Sequence, residues 1–146
     1  MKIEKCFYES FLSSCPYAPP EIGGILGGKN GVVTDIVIDN HNTVLNKVVY
    51  IPDIDFLNSK IEEWGKQNIE FYGIFHTHFS DNTLSKDDRI NIEKVMYSMP
   101  KSIMKLYFPI VMPQKEMIAY VAERKNNKIN IYSENIDIIE DKETNY

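Results

Sequence analysis

Apolar residues along the chain follow two different periods, and each period predicts a type of element. The runs 22–28 and 32–38 are apolar, β-branched or glycine-rich, and Asn30-Gly31 between them is a turn signal, so together they predict a β-hairpin. Further strand-like runs cover residues 47–51, 71–75, 104–112, 117–122 and 129–132. Asn126-Asn127, between the last two runs, predicts a second tight turn.

Three other segments place apolar residues at helical spacing. The stripes are Phe7, Phe11 and Leu12 in the first, Ile54, Leu57, Ile61 and Trp64 in the second, and Ile92, Val95, Met96 and Met99 in the third. The first stripe predicts a short helix within residues 3–14. The second predicts a helix that begins after Asp53 and has Gly65 as its C-terminal stop. The third predicts a helix over 85–99 that Pro100 ends.

The order of these elements indicates the fold class. Strands, a helix, a strand, a helix and further strands in succession predict a mixed β-sheet packed between helices. A chain of 146 residues is long enough to bury a core as one domain, and we assign residues 1–139 to a single-domain α/β fold. The tail, residues 140–146, has almost no apolar positions and is predicted to be disordered.

Composition and charge narrow the class of protein. Hydrophobic residues make up 43% of the chain and charged residues 25%, as in ordinary soluble globular proteins. The net charge of -5, with Lys and Arg scattered, argues against a nucleic-acid-binding surface. The sequence shows no apolar run long enough for a membrane span and no signal peptide, so no membrane association and a cytoplasmic location are expected. The spacing of Cys6 and Cys15 predicts two reduced thiols in or near the core.

Two histidines at the end of the predicted strand 71–75 give the strongest chemical signal. His76 and His78 are two residues apart, and side chains at that spacing on a strand point to the same face. A catalytic zinc site takes three protein ligands, so a third has to come from beyond the following loop. Asp88 and Asp87 qualify by position in the first turn of the predicted helix, and Asp81 on the loop is a weaker candidate.

Other interpretations of these residues remain open on local sequence. A histidine pair at this spacing also occurs without a metal. Ser85 and Asp88 fit a capping box, in which each side chain bonds the backbone amide of the other, a purely structural role. Thr77 points to the opposite face of the strand and is expected only to pack. His41 falls in a polar loop and is expected to be solvated.

A third segment changes the balance between these interpretations. Glu21 precedes the glycine-rich strand Gly24-Ile25-Leu26-Gly27-Gly28, which is followed by the histidine pair at 76–78 and by SxxD at 85–88. This order resembles the JAMM or MPN+ metalloproteases, also called JAB domains, whose pattern is a glutamate before a G-x-L-x-G strand, then H-[S/T]-H-P and S-x-x-D. The resemblance covers nearly the whole chain. Two features depart from the family pattern: Phe79 stands where the family usually has proline, and the interval from His78 to the serine is one residue shorter. Because a shorter loop can change which aspartate reaches the metal, Asp87 is the alternative to Asp88 as the third ligand.

The resemblance implies a cytidine-deaminase-like JAB/MPN architecture and a zinc-dependent isopeptidase. His76, His78 and Asp88 would hold Zn²⁺, Glu21 would act as general base on the attacking water, and Ser85 would stabilise the oxyanion. The implied substrate is the C-terminal tail of a ubiquitin-like or sulfur-carrier protein, and an E1-like enzyme that makes the conjugate is a further implied partner. The alternatives are a non-catalytic MPN-type scaffold and a RadC-like protein. A zinc nucleobase deaminase would need HxE and PCxxC, which the sequence lacks.

Overall fold

The computed structural model of the protein describes residues 1–39 and 50–141. Within these residues the chain forms three helices and one nine-stranded mixed sheet. The helices are α1 (Lys5–Ser14), α2 (Ile54–Lys66) and α3 (Lys86–Ser98). The strands are β1 (Lys2–Glu4), β2 (Gly23–Lys29), β3 (Val32–Asp39), β4 (Glu70–Thr77), β5 (Lys105–Tyr107), β6 (Ile110–Met112), β7 (Glu116–Lys125), β8 (Lys128–Glu134) and β9 (Asp137–Ile139). The prediction of a mixed α/β fold is confirmed.

Helices cover both faces of the sheet. Ile25 and Leu26 are neighbours on β2, so their side chains point to opposite faces. Leu26 belongs to the apolar cluster that includes Phe11 of α1, whereas Ile25 packs with Leu57 and Trp64 of α2. A further cluster joins Ile92 and Met96 of α3 to Leu106 and Ile110 of the sheet. Ile74 contacts the clusters of both α2 and α3, which places these two helices on the same face.

Two short strands share one position in the sheet, next to β4. β5 and β6 both pair with β4 in parallel, at Gly73↔Tyr107 and His76↔Ile110, and both pair with β7 in antiparallel. The prediction of one strand over 104–112 is therefore wrong. The interruption falls at Phe108 and Pro109, because proline has no N–H for the ladder. The Phe108 amide still donates to the Tyr120 carbonyl of β7, at 2.8 Å.

The register between β2 and β4 places the start of one strand against the histidine end of the other. Gly23 lies opposite His76 in this antiparallel pair, and the register shifts between Leu26 and Gly27. The strands beside β2 approach it closely. A Cβ at Gly24 would lie 2.0 Å from the carbonyl oxygen of Val37, so no larger residue fits there without moving backbone.

Two details, one at the chain ends and one at a helix end, were not predictable from the periods. β1 and β9 pair in parallel, with Ile3 opposite Ile138, so the first residues of 3–14 belong to a strand and only the remainder to α1. Gly65 is wrong as a stop, because α2 runs on through Lys66 and the chain turns at Asn68, which has φ 57°.

Several predictions concern residues at the margins of the described ranges. His41 and most of the predicted strand 47–51 lie outside the described residues, as do residues 142–146 of the tail. The carboxylate of Asp141 accepts a hydrogen bond from the Cys6 amide at 3.0 Å.

Cys6 and Cys15 are both free thiols; Cys15 is buried as expected, but Cys6 is exposed. Among residues 1–39 and 50–141, no helix has the length and apolar character needed to cross a membrane.

Candidate metal centre

The two histidines converge at the end of β4. The amide of His76 donates to the Pro109 carbonyl at 3.2 Å, and that of His78 donates to the Val111 carbonyl at 3.0 Å, so β6 and the residue before it hold the backbone of both histidines. Their Nε2 atoms lie 2.9 Å apart. The side chains are 15% and 12% exposed. The strand thus aims two imidazole nitrogens at one partly buried point.

Asp88 is the carboxylate that contacts both histidines. Its Oδ1 lies 3.3 Å from Nε2 of His76, and its Oδ2 lies 3.3 Å from Nε2 of His78. Asp87 is an exposed residue of the same helical turn. The carboxylate of Asp81 accepts hydrogen bonds from Thr83 and lies 4.0 Å from Nδ1 of His78, on the side of the ring that faces away from Asp88. The shorter loop therefore still brings Asp88 to the histidines.

Glu21 reaches the same point from a different segment. One ligand atom from each of Glu21, His76 and His78 lies within 4.8 Å of the other two. Glu21 lies two residues before β2, which pairs with β4. Its Oε2 accepts a hydrogen bond from the Tyr50 amide at 3.2 Å. Three separate segments thus bring two histidines and two carboxylates together.

The backbone around His78 selects its tautomer. Nδ1 of His78 lies 3.2 Å from the carbonyl oxygen of Asp81. Because a carbonyl can only accept, Nδ1 is the donor, and Nε2 of the neutral ring is then an acceptor. A hydrogen bond of this kind fixes the orientation of metal-ligating histidines. The loop carbonyl that supports the ring gave no signal in the sequence.

When His78 is neutral, its Nε2 and the carboxylate of Asp88 are acceptors that face each other, and a positive charge at the centre of the site would stabilise them. Asp88 favours a proton on His78: the hydrogen bond between them holds the pKa of His78 above its ordinary value, although burial lowers that pKa. Burial raises the pKa of the Asp88 carboxyl, but hydrogen bonds from His76, His78 and the Ser85 amide outweigh it and hold that pKa well below the usual range. The site favours either a proton or a bound cation.

The geometry and the donor set fit zinc. A tetrahedral ion with ligands at about 2.0–2.1 Å holds those ligand atoms about 3.3 Å from one another. The Nε2 atoms of His76 and His78 lie 2.9 Å apart, and each lies 3.3 Å from a different oxygen of Asp88, so the separations are of this size while both carboxylate oxygens face the histidines. Two imidazoles and one carboxylate are also a donor set of catalytic zinc sites, which keep the fourth position for water or substrate.

Asp88 takes part in a capping box as well. Ser85 Oγ accepts from the Asp88 amide at 3.0 Å, and the Ser85 amide donates to Asp88 Oδ2 at 2.8 Å. The structural interpretation of Ser85 and Asp88 is confirmed, and it coexists with the contact to the histidines. The cap uses Ser85 Oγ as an acceptor only, so its hydroxyl proton can still be donated elsewhere.

Thr77, between the two histidines, does more than pack. Its hydroxyl accepts a hydrogen bond from the Ile22 amide at 2.9 Å, and its own amide donates to the Ile22 carbonyl at 2.8 Å. The expectation that Thr77 only packs is wrong, because its side chain points towards the backbone of the neighbouring chain segment. This contact joins the residue that follows Glu21 to the histidine strand.

A buried carboxylate supports the other side of Glu21. Asp39 is 1% exposed, and its Oδ2 accepts from the Tyr50 hydroxyl and from the Asp53 amide, each at 2.8 Å. Burial, followed by the hydrogen bond to Asp39, raises the pKa of Tyr50, which keeps its hydroxyl a donor. The only sequence signal for this network is a carboxylate at the end of an apolar strand.

Comparisons with known proteins support the fold. No protein-family model and no curated protein matches the chain. The structure is similar to a solution structure from Desulfitobacterium hafniense, with a TM-score of 0.67, 18% identity and coverage of 97% of this chain and 94% of that chain. It is also similar to a solution structure from Salinibacter ruber, with a TM-score of 0.54, 14% identity and coverage of 99% and 94%. At these identities the similarity concerns the fold alone.

Proposed function

We propose that this protein is a zinc-dependent metallopeptidase of the JAMM/MPN+ type, with the JAB version of the cytidine-deaminase-like architecture. The observation that carries the proposal is the contact of both Asp88 oxygens with the two histidines, each at 3.3 Å, beside Glu21. The motif order in the sequence and the spatial arrangement of the same residues favour the same chemistry.

His76, His78 and Asp88 are the residues that would hold the ion. A bound Zn²⁺ supplies Lewis acidity, which polarises a carbonyl and makes a coordinated water easier to deprotonate. The capping box and the Asp81 carbonyl hold Asp88 and His78 in place in advance, so binding requires little rearrangement of the ligands.

Glu21 and Ser85 supply the remaining functions. Glu21 lies close enough to the histidines to take a proton from an attacking water and pass it to the leaving amine. Ser85 can donate its hydroxyl proton to the oxygen on which negative charge develops, since its cap role uses only a lone pair. Removing one such donor typically costs about 10²–10³-fold in rate.

The limited access to the site favours a slender substrate. The side chains of His76, His78 and Asp88 are only 12–18% exposed. An extended chain end that lacks side chains, such as the Gly-Gly tail of a ubiquitin-like or sulfur-carrier protein, can bring a carbonyl into such a site. A conjugate made by an E1-like enzyme in the cytoplasm would present that tail in an amide or isopeptide bond. The acidic net charge of -5 favours protein over nucleic acid as the partner.

The test combines metal analysis with hydrolysis. Protein purified without chelators is expected to contain about one zinc per chain, and to cleave an amide bond placed after the Gly-Gly end of a ubiquitin-like fusion. Glu21→Gln should retain zinc but lose about 10²–10⁴-fold in rate. Glu62→Gln, an exposed residue on α2, is the matched control and should leave both unchanged. Absence of zinc, or a Glu21→Gln variant as active as the wild type, would contradict the proposal.

A further inference from the structure

We propose that Thr77 is a positioning residue, which fixes Glu21 relative to the two histidines through the backbone of Ile22. This inference rests on the proposed function, because it concerns the group that handles the proton at the same site. It assigns a role to a side chain that points away from the site, on the opposite face of β4.

Thr77 is joined to Ile22 by three hydrogen bonds. The Thr77 amide donates to the Ile22 carbonyl at 2.8 Å, the Ile22 amide donates to Thr77 Oγ1 at 2.9 Å, and the Thr77 hydroxyl lies 3.3 Å from the Ile22 carbonyl as a donor. Thr77 is 0% exposed and Ile22 is 9% exposed. Because water has little access here, each of these polar groups depends on its protein partner.

The hydroxyl allows the chain to leave the sheet at this point. The last ladder pair of β2 and β4 is Gly23↔His76, and Ile22 comes next, opposite Thr77. The Ile22 amide is satisfied by a side chain, so the backbone before β2 does not have to continue as a strand. Glu21 lies two residues before Gly23, which is opposite His76, so the alternation places Glu21 on the face of the histidines, and the bonds to Ile22 hold it there. A residue without a hydroxyl at position 77 would leave a buried amide unpaired.

The two histidines are held independently of this contact. Their amides donate to carbonyls of the Pro109 and Val111 residues, on the other side of β4 from Ile22. Glu21 has a restraint of its own on the carboxylate, from the Tyr50 amide at 3.2 Å. Loss of the Thr77 hydroxyl should consequently displace the backbone of Glu21 and leave the geometry of the histidines intact. Proton transfer by Glu21 should then be impaired, whereas metal binding should be unchanged.

The experiment compares Thr77→Val, which removes the hydroxyl at nearly constant volume, with Thr77→Ser, which keeps it. Hydrogen exchange of the Ile22 amide, measured by NMR, should accelerate by about tenfold or more in Thr77→Val and stay near the wild-type rate in Thr77→Ser. Zinc affinity, measured by competition with a chelating dye, should change by less than about twofold in both variants. Thr77→Ala replaces the valine variant if the latter does not fold, with the same expected results.

Hydrolysis of the ubiquitin-like Gly-Gly fusion then tests whether Thr77 acts through Glu21. The rate should fall about 10–100-fold in Thr77→Val, because a misplaced catalytic group loses its orientation, and the serine variant should restore most of it. In a Glu21→Gln background the valine substitution should add less than about twofold, since the group it positions is already disabled.

Three results would overturn the inference: unchanged Ile22 exchange in Thr77→Val, equal losses of zinc affinity and of rate, or a full further loss in the Glu21→Gln background. The failure of the proposed function looks different. A wild-type protein that neither binds zinc nor cleaves the fusion refutes the metallopeptidase, and with it the role of Thr77 in proton transfer, whatever the exchange of Ile22 shows.

Discussion

The hydroxyl of Tyr50 donates a 2.8 Å hydrogen bond to Asp39, a carboxylate that is 1% exposed. The amide of the same tyrosine donates to Glu21, so one residue links a buried carboxylate to the proposed general base. The ring also packs tightly on the start of β2, because a Cβ at Gly23 would lie 2.3 Å from Tyr50 Cε1. The segment after residue 49 is thereby fixed beside the metal centre.

Tyr50→Phe should reduce the free energy of unfolding by about 1–3 kcal/mol, since a buried carboxylate loses one of its donors. Urea denaturation followed by tryptophan fluorescence measures the change. Tyr132→Phe is the control: its hydroxyl also donates to a carboxylate, Glu123 at 2.6 Å, but the residue is exposed and the loss should be small. Equal losses in the two variants would contradict the importance of burial at Asp39.

Asp88→Asn should weaken zinc binding by about 100-fold or more, because losses in the surrounding hydrogen-bond shell alone cost about 10–100-fold. Asparagine can still accept the Ser85 amide, so the cap of α3 should survive and helix content should not change. Asp87→Asn, an exposed neighbour with the same charge change, should bind zinc like the wild type. Isothermal titration with Zn²⁺ distinguishes the two, and a larger loss in Asp87→Asn would show that the ligand is the other aspartate.

The metal-free protein should be most stable in weakly acidic solution. The pKa of Asp88 is lowered on folding, so its contribution is present above the unfolded value of about 3.9 and is lost as the pH falls through the folded pKa. The pKa of His78 is raised, so its contribution is present below about 6.5 and is lost as the pH rises through the folded pKa.

The contributions of Asp88 and His78 to the stability of chelator-treated protein should therefore both be present between about pH 4 and pH 6.5. Thermal melting across pH 4–8 tests this, and His78→Gln should flatten the decline on the alkaline side. A decline of the same size in His78→Gln and in the wild type would assign the pH dependence to other groups.

Arg124 should contribute to stability without affecting the site. Its guanidinium donates to the carbonyls of Met96, Met99 and Ile103, which caps the C-terminal end of α3. Arg124→Ala should lower the free energy of unfolding by about 2–4 kcal/mol, as three carbonyls lose a charged donor. Lys125→Ala, at the exposed neighbouring position, is expected to have little effect. Loss of zinc binding by folded Arg124→Ala would show that the two ends of α3 are coupled.

Local patterns explain which parts of the molecule were predictable. The alternation along β4 is local, so the convergence of His76 and His78 follows from their spacing alone. The SxxD pattern locates the first turn of α3, although it does not by itself distinguish a capping residue from a ligand. Glu21 has no local signal at all, because its approach to the histidines depends on which strands pair, and only the resemblance to a family selects it.

The features that the sequence did not predict depend on distant contacts. β1 and β9 are three residues each, too short to show a period; β1 forms by pairing with β3 and β9, and β9 by pairing with β1. The division of 104–112 into two strands is an exception: β5 and β6 keep one register against β7, and Pro109, a local signal, lies between them. Thr77 looked like a packing residue because nothing near it in sequence reveals that Ile22 lies opposite.

Close contacts between β2 and β4 disfavour any shifted register of these two strands. A slip of one residue would turn both histidines into the core, and a slip of two would move the glutamate by about 7 Å along the strand. Carbonyl oxygens of β4 lie against the glycines of β2: a Cβ at Gly23 would lie 2.6 Å from the oxygen of Phe75, and a Cβ at Gly27 would lie 2.4 Å from the oxygen of Glu70. In a shifted register the same carbonyl oxygens would clash with the side chains of larger residues. The shifted pairing therefore has a higher free energy than the native one.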